Sequence, residues 1–304
     1  MKLATVRTGE VGWNRQLTDA GNDTGVITGD DTGEDTESGT GTRAAVVQGE
    51  ELLLLPARDV GRLLAQAHWR EVVEQALADA ERLPLAGARL TPVIPRPGKI
   101  VCVGHNYRAH LAELGQSEPA APTLFTKWAD GLLAHREPLA LPAVSTQVDW
   151  EAEMAVVVGA PLRGARREEA AAAIAGYTIA NDVSVRDLQK RTSQWLPGKA
   201  FDALTPLGPW LVTADAFEPA GQRIRCLIDG EVVQEGDPGD LVFDAATLLA
   251  EVSTFTRLRP GDLLLTGTPG GVGMARTPQR WLQPGQELIT EITGIGQLVN
   301  PVIG

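Results

Sequence analysis

The chain has 304 residues, of which 43% are hydrophobic and 22% charged, which excludes a fibrous or wholly disordered protein and predicts a soluble globular one. Its net charge of −12 argues against nucleic acid or an anionic membrane as a partner. The longest apolar runs fall far short of the roughly 20 residues that a membrane helix needs, and residues 1–7 lack a signal peptide's apolar stretch. Cys102 and Cys226 lie in apolar, strand-like runs, which predicts buried thiols in a cytoplasmic protein.

The first 40 residues have the pattern of short strands separated by turns. Within this region, residues 29–42 contain only glycine and polar or acidic residues. A calcium site is one interpretation, but a helix-loop-helix calcium loop is followed by an apolar helix, whereas residues 44–47 have a strand pattern. We therefore predict a solvated acidic loop over residues 29–42 that catalysis does not need.

A helical period follows Asp59, the expected N-cap, and continues to Leu83. Residues 91–98 then contain three prolines and a glycine, which favours an extended linker. We place a domain boundary there, with a small N-terminal α/β domain over residues 1–95 and a larger domain over residues 96–304.

The larger region alternates strands and helices and becomes rich in strands after Pro206. We predict strands over 100–103, 152–158, 177–183 and 263–265, and helices over 107–114, 168–175, 185–191 and 245–255. Asp229-Gly230 predicts the turn of a β-hairpin, and Asp244 predicts a helix N-cap.

Two carboxylates lie two residues apart where a buried strand begins. Glu151 and Glu153 therefore share one face, and Asp182 ends another apolar strand. An aligned pair alone is most often a solvated strand end, but a third acid in a similar position favours a site for Mg²⁺ or Mn²⁺, with Ca²⁺ as a further candidate. The sequence contains no cluster of cysteines and histidines of the kind that binds structural zinc.

Two histidines follow the strand over residues 100–103. His110 and Glu113 are three residues apart on the predicted helix, where a carboxylate can orient an imidazole that acts as general base. A solvated surface pair is the alternative. His105 lies nearer the strand end, and the pattern alone does not decide between the two histidines.

A third group of polar residues comprises Arg186, Gln189 and Lys199, together with the glycine-rich turn over residues 266–273. The turn lacks the Gly-Lys-Ser/Thr ending of a phosphate-binding loop. Its glycines are better explained by close approach of the backbone to a ligand.

Five segments, in order, resemble the signature blocks of the fumarylacetoacetate hydrolase family: residues 100–113, 149–159, 181–189, 198–202 and 265–269. The resemblance runs from about Lys99 to the C-terminus. It implies an α+β fold whose catalytic domain is a mixed β-roll, usually dimeric, beside the small N-terminal domain. It also implies Mg²⁺ or Mn²⁺ on Glu151, Glu153 and Asp182.

The same resemblance implies roles for the other polar residues. His110 and Glu113 match a catalytic dyad on a mobile lid helix, and Lys199 completes the predicted catalytic set. The predicted substrate-binding residues are His105, Arg186, Gln189 and Thr268. Residues 127–135 depart from the family pattern, so no substrate contact is assigned to them.

We therefore expect a metal-dependent enzyme that cleaves a C–C bond, by hydrolysis or decarboxylation, in a small 2-oxo or 1,3-dicarbonyl acid. The cation acts as a Lewis acid and Lys199 adds positive charge as enolate charge develops. The alternatives are an isomerase of a 2-hydroxydienedioate in aromatic catabolism, a sugar-acid dehydratase or lyase and, remotely, a non-catalytic binding protein. The expected partners are a 2-oxo acid and a second copy of the chain.

Overall fold

A computed structural model describes residues 1–9, 41–113 and 115–304, apart from the side chain of Glu113. Its strands are β1 (Lys2–Thr8), β2 (Gly41–Gln48), β3 (Glu51–Leu54), β4 (Arg82–Pro84), β5 (Ile100–Gly104), β6 (Thr123–Lys127), β7 (Leu132–Leu133), β8 (Leu139–Ala140), β9 (Val148–Asp149), β10 (Ala152–Val158), β11 (Ile174–Asn181), β12 (Ser184–Val185), β13 (Thr205–Thr213), β14 (Ile224–Ile228), β15 (Glu231–Gly236), β16 (Leu263–Leu265), β17 (Glu287–Ile292) and β18 (Gly296–Ile303). Its helices are α1 (Val60–Leu64), α2 (Trp69–Leu77), α3 (Arg108–Glu113), α4 (Arg167–Ala172), α5 (Arg186–Gln189), α6 (Leu196–Lys199) and α7 (Ala245–Phe255).

Several elements form where local signals predict them. The Asp59 and Asp244 side chains cap α1 and α7, accepting hydrogen bonds from the amides of Arg62 at 2.7 Å and Thr247 at 2.8 Å. Asp229 and Gly230 adopt positive φ angles of 52° and 81° in the turn between β14 and β15, as a tight hairpin requires.

Other predicted bounds are wrong. The helix expected over 168–175 ends at Ala172, because Ile174 already pairs with β10 as the first residue of β11. The helix expected over 185–191 spans only the four residues of α5. Neither stretch contains a glycine or proline that would end a helix. The positions at which these helices end are therefore set by the pairing of neighbouring strands and not by the local sequence.

The described strands form one large mixed sheet, a five-stranded sheet and a two-stranded sheet of β12 and β9. The large sheet has the order β4-β3-β2-β1-β13-β11-β10-β16-β5-β6, with β7 also paired to β13. Most neighbours are antiparallel, but β16 and β5 are parallel, as are β13 and β7. A five-stranded sheet, in the order β15-β14-β17-β18-β8, packs against it. The sheet-rich architecture with few helices confirms the predicted fold class.

The N-terminal strands continue the large sheet, because Lys2 and Leu3 of β1 pair with Val212 and Leu211 of β13. Helices α1 and α2 cover this part of the sheet, and their apolar residues share a core with strands β10 and β13. A separate domain before residue 96 stays a prediction, and residues 1–9 and 41–95 share both sheet and core with the rest of the described chain.

Both cysteines are buried free thiols, Cys102 on β5 and Cys226 on β14, as their apolar runs predict. None of the described helices is long and apolar enough to span a bilayer.

The predicted acidic loop overlaps β2. Gly41 and Thr42 pair with Thr8 and Arg7, so the proposed loop over residues 29–42 is too long at its end. The rest of that stretch, residues 29–40, lies outside the described residues.

Replacement of residues 29–40 by a short Gly-Ser turn is expected to leave turnover within about threefold of the unmodified chain, because the stretch has no apolar side chain to add to a core. Steady-state kinetics and thermal melting of both proteins test this. A collapse of kcat with an unchanged melting temperature would show that the loop contributes to the site.

Candidate active site

Three predicted carboxylates converge where β10 begins and β11 ends. The two strands are antiparallel, with Ala152 opposite Asn181, so Glu151 and Asp182 meet at one edge of the sheet. The amide of Asp182 donates to the carbonyl oxygen of Glu151 at 2.8 Å. Glu153 lies two residues further along, and one carboxylate oxygen from each acid lies within 4.8 Å of the others.

Lys199 joins two of these acids from helix α6. Its ammonium donates to Glu151 Oε2 at 2.8 Å and to Asp182 Oδ2 at 2.7 Å. The preceding Gly198 permits the approach of α6 to α5, since a Cβ there would lie 2.5 Å from the amide nitrogen of Gln189. Lys199 is thus buried among the carboxylates, and its catalytic role stays a prediction.

Lys127 is a site residue that the sequence did not reveal. It ends β6, and the chain then returns through β7, which pairs with β13 beside β11. This path brings the Lys127 ammonium to Asp182 Oδ1 at 2.7 Å and to the carbonyl oxygen of Val183 at 3.2 Å. The one feature of the sequence that could have indicated Lys127 is its position at the end of a strand-like run, directly after Phe125 and Thr126.

Arg186, at the start of α5, is buried with protein partners on two of its three nitrogens. Its Nε donates to Asp149 Oδ2 at 2.8 Å, and its Nη1 donates to Glu151 Oε1 at 2.5 Å and to Gln189 Oε1 at 3.0 Å. Its Nη2 is buried without a hydrogen-bond partner among the described residues. A substrate contact by Arg186 or Gln189 stays a prediction; Arg186 holds Glu151, and Gln189 accepts a hydrogen bond from the same Arg186 nitrogen.

These ion pairs form a continuous buried series of alternating sign, which we call the charge ladder: Asp149, Arg186, Glu151, Lys199, Asp182 and Lys127. Three acids and three bases make it neutral, which offsets much of the cost of burying each charge. Burial alone would raise the pKa of Glu151, but Lys199 and Arg186 outweigh that effect and lower it to about 2.

Glu153 lies outside the ladder. It is 1% exposed, and its carboxylate Oε2 accepts a hydrogen bond from the backbone amide of Gly267 at 2.8 Å. Burial, followed by the negative charges of Asp182 and Glu151, raises its pKa well above the ordinary value. Ionisation of Glu153 would therefore add one negative charge that the bases of the site do not neutralise.

That excess charge, together with the donor set, fits a divalent cation. Three carboxylates supply only hard oxygen ligands, which Mg²⁺, Mn²⁺ and Ca²⁺ prefer. A cation bound by Glu151, Glu153 and Asp182 would also lower the cost of ionising Glu153.

Stabilisation by Mn²⁺ is expected to depend on pH. Without a cation, the raised pKa of Glu153 destabilises the folded protein once the pH exceeds about 4.5, the pKa of this group in the unfolded chain. The destabilisation grows as the pH rises further towards the folded-state pKa. The depressed pKa of Glu151 acts oppositely, since its stabilisation is lost only as pH falls from about 4.5 towards 2. Saturating Mn²⁺ should raise the melting temperature by about 5 °C at pH 7.5, with little effect at pH 4.5, and an equal shift at both pH values would contradict this.

His105 lies beside an aromatic cluster next to Lys199. The ring of His105 is 5.5 Å from that of Trp195, which is 5.5 Å from Phe125. The Lys199 ammonium lies 5.0 Å from the Phe125 ring centre. Partial burial and His110 lower the pKa of His105, which favours its neutral form.

His110 lies on α3, within the predicted helix, and its side chain is buried. The side chain of Glu113, its proposed partner, lies outside the described residues, so the dyad stays a prediction.

Thr268 follows β16, and its hydroxyl is engaged within the protein. It donates to the carbonyl oxygen of Ala152 at 2.8 Å and accepts from Gln234 Nε2 at 2.8 Å. The Gln234 Oε1 in turn accepts from the Ala152 amide at 2.9 Å. These bonds hold the glycine-rich turn against the start of β10, and a substrate contact by Thr268 stays a prediction.

The family model of the fumarylacetoacetate hydrolase C-terminal domain matches residues 99–303, which include all of these site residues. The chain belongs to the fumarylacetoacetate hydrolase family. The resemblance of the five sequence segments is thereby confirmed, and the matched region agrees with the extent predicted for it.

Relatives of this family member differ in their reactions. A mitochondrial oxaloacetate tautomerase of Rattus norvegicus is 42% identical over 240 residues, which cover 76% of this chain and 77% of the relative. The 2-hydroxyhepta-2,4-diene-1,7-dioate isomerase structure of Mycobacterium marinum is 31% identical, with a TM-score of 0.70 and coverage of 87% and 94%. The maleylpyruvate hydrolase structure of Sphingobium sp. SYK-6, in complex with manganese(II) ion and pyruvate, is 29% identical, with a TM-score of 0.73 and coverage of 86% and 96%.

Proposed function

We propose that this protein is a divalent-metal-dependent tautomerase of small 2-oxo dicarboxylic acids of the oxaloacetate class. The observation that carries the proposal is the 42% identity to an oxaloacetate tautomerase over three quarters of both chains. The site supports it, because the buried acidic triad, the buried Lys199 ammonium and the imidazole of His105 in the aromatic cluster beside Lys199 are groups suited to enolisation.

Charge balance supports an anionic substrate. The ladder is neutral, so a divalent cation bound to the triad with Glu153 ionised leaves one net positive charge for a substrate carboxylate. When bound, such a cation supplies Lewis acidity towards the 2-keto oxygen.

The protein's own groups account for the proton movements. In the keto-to-enol direction, the imidazole of His110 takes a proton from C3 of the substrate, and the resulting imidazolium gives that proton to the oxygen on C2, so His110 ends neutral as the enol forms. Two of the three N–H groups of Lys199 donate to Glu151 and Asp182. The third is left for the substrate oxygen on which negative charge develops.

C–C bond hydrolysis of an acylpyruvate is the second candidate, favoured by the likeness to maleylpyruvate hydrolase bound to manganese and pyruvate. It shares the enolate with tautomerisation but also requires a positioned water that attacks the distal carbonyl. Tautomerisation needs only proton transfer, so it makes fewer demands on the described site.

The proposal is tested by following the disappearance of enol oxaloacetate by ultraviolet absorbance in the presence of Mg²⁺ or Mn²⁺. In parallel, 3-acylpyruvates, 2-hydroxydienedioates and sugar acids are assayed as alternative substrates. We expect faster loss of the enol without release of CO₂. Glu153→Gln is the inactive control, and Glu251→Gln, at an exposed position of α7, is the active one. Cleavage of an acylpyruvate to pyruvate and a free acid, without tautomerisation, would replace this proposal by the second candidate.

A further inference from the structure

Asp149 ends the short strand β9 and is fully buried at the outer end of the charge ladder. Its Oδ1 accepts hydrogen bonds from the amides of Trp150 at 2.8 Å and Gly273 at 2.7 Å. Its Oδ2 accepts from the amide of Met274 at 3.0 Å and from Arg186 Nε at 2.8 Å. Each Asp149 oxygen thus accepts two hydrogen bonds from protein donors, which leaves no lone pair for a cation or a substrate proton. The oxygens of Glu151 and Asp182 accept one hydrogen bond each, so they keep a lone pair for a cation.

The local fold directs Asp149 to Arg186. Strand β9 pairs with β12, and Asp149 lies opposite Ser184, two residues before Arg186. The turn at Gly273 comes close on the other side, since a Cβ on Gly273 would lie 2.8 Å from Asp149 Oδ1. A short paired strand and a close turn therefore hold the carboxylate in a single position.

The guanidinium of Arg186 is planar, so a bond at Nε fixes the directions of both terminal nitrogens. With Nε bound to Asp149, Nη1 reaches Glu151 and Gln189. The same orientation leaves Nη2 buried without a partner among the described residues. An unused buried donor is costly unless a ligand satisfies it.

We propose that Asp149 is a positioning residue that acts through Arg186. It holds the guanidinium so that Nη1 restrains the Glu151 carboxylate and Nη2 is presented to the carboxylate of a 2-oxo acid. This deepens the proposed function, on which its choice of ligand rests. A purely structural role, in which Asp149 only neutralises Arg186 and anchors the turn at Gly273, is the competing explanation.

Asp149→Asn separates the two roles. The amide keeps one oxygen for the Trp150 and Gly273 amides, but places an NH₂ group against the donors of Arg186 and Met274. Mn²⁺ affinity is measured by the electron paramagnetic resonance of free Mn²⁺. Affinity for oxalate, a stable planar analogue of a 2-oxo acid enolate, is measured by calorimetry on the Mn²⁺-loaded protein.

We expect Asp149→Asn to weaken both affinities by about tenfold or more, the usual effect of losing a group that orients a ligand. The control is Asp262→Asn, which changes another buried carboxylate with a basic partner, Lys99 at 3.4 Å, outside the ladder. It should lower the melting temperature yet leave both affinities within about twofold.

A double-mutant cycle tests whether Asp149 acts through Arg186. Oxalate affinity of Asp149→Asn/Arg186→Gln should equal that of Arg186→Gln within about twofold, because the guanidinium to be positioned is gone. This comparison keeps the proposal falsifiable even if Asp149→Asn alone does not fold, because a further loss of oxalate affinity in the double mutant would overturn it. Multiplicative losses, or an Asp149→Asn protein that binds Mn²⁺ and oxalate like the unmodified chain, would overturn the proposal. Neither readout requires turnover, so the result is independent of whether the tautomerase assay succeeds.

Discussion

Glu153→Gln is expected to abolish tight binding of Mg²⁺ or Mn²⁺ and to lower kcat/KM by about 10³-fold or more, since Lewis-acid catalysis supplies several kcal/mol. Once ionised, Glu153 carries the one negative charge that the ladder leaves uncompensated, and its raised pKa makes that ionisation costly unless a cation binds. The amide is nearly isosteric, so the fold should persist. Its melting temperature without metal should even rise at neutral pH, because a buried ionisation cost is removed.

Metal content by mass spectrometry and steady-state kinetics test this expectation, with Glu251→Gln as the matched surface control. A strong chelator should abolish activity of the unmodified protein, and Mg²⁺ or Mn²⁺ should restore it. Full activity after metal removal, or an unchanged metal content in Glu153→Gln, would show that the triad is not a catalytic metal site.

His110→Ala is expected to lower kcat by roughly 10² to 10⁴, the usual contribution of a general base. Metal affinity should change little, because the imidazole is not among the three carboxylate ligands. Measurement of kcat, KM and Mn²⁺ affinity on the same preparation separates proton transfer from substrate capture.

Glu113→Gln should reduce kcat by a similar or smaller factor if Glu113 orients the imidazole, and the double mutant should be hardly worse than the worse single mutant. Strictly additive losses, or a defect confined to KM, would show that the pair positions the substrate. His105, beside Trp195, would then be the leading candidate for the base.

Local signals predicted the features whose physics is local. Asp59 and Asp244 cap helices because their side chains reach amides three residues away. Glu151 and Glu153 share a face because a strand repeats every two residues. The metal triad and the family resemblance could therefore be proposed without coordinates.

Only the tertiary structure shows which cations compensate which buried acids. Lys127 and Asp182 are 55 residues apart, and their contact depends on the return of the chain through β7 to β13. In the sequence, Asp149 is one of several acidic residues near the start of a strand, and nothing local distinguishes it. Its hydrogen bonds to Arg186 and to the turn at Gly273 depend on the pairing of β9 with β12. Sequence periodicity reveals which face of an element a side chain occupies, whereas charge pairing depends on which distant faces meet, and that is decided by the order and curvature of the strands in the sheet.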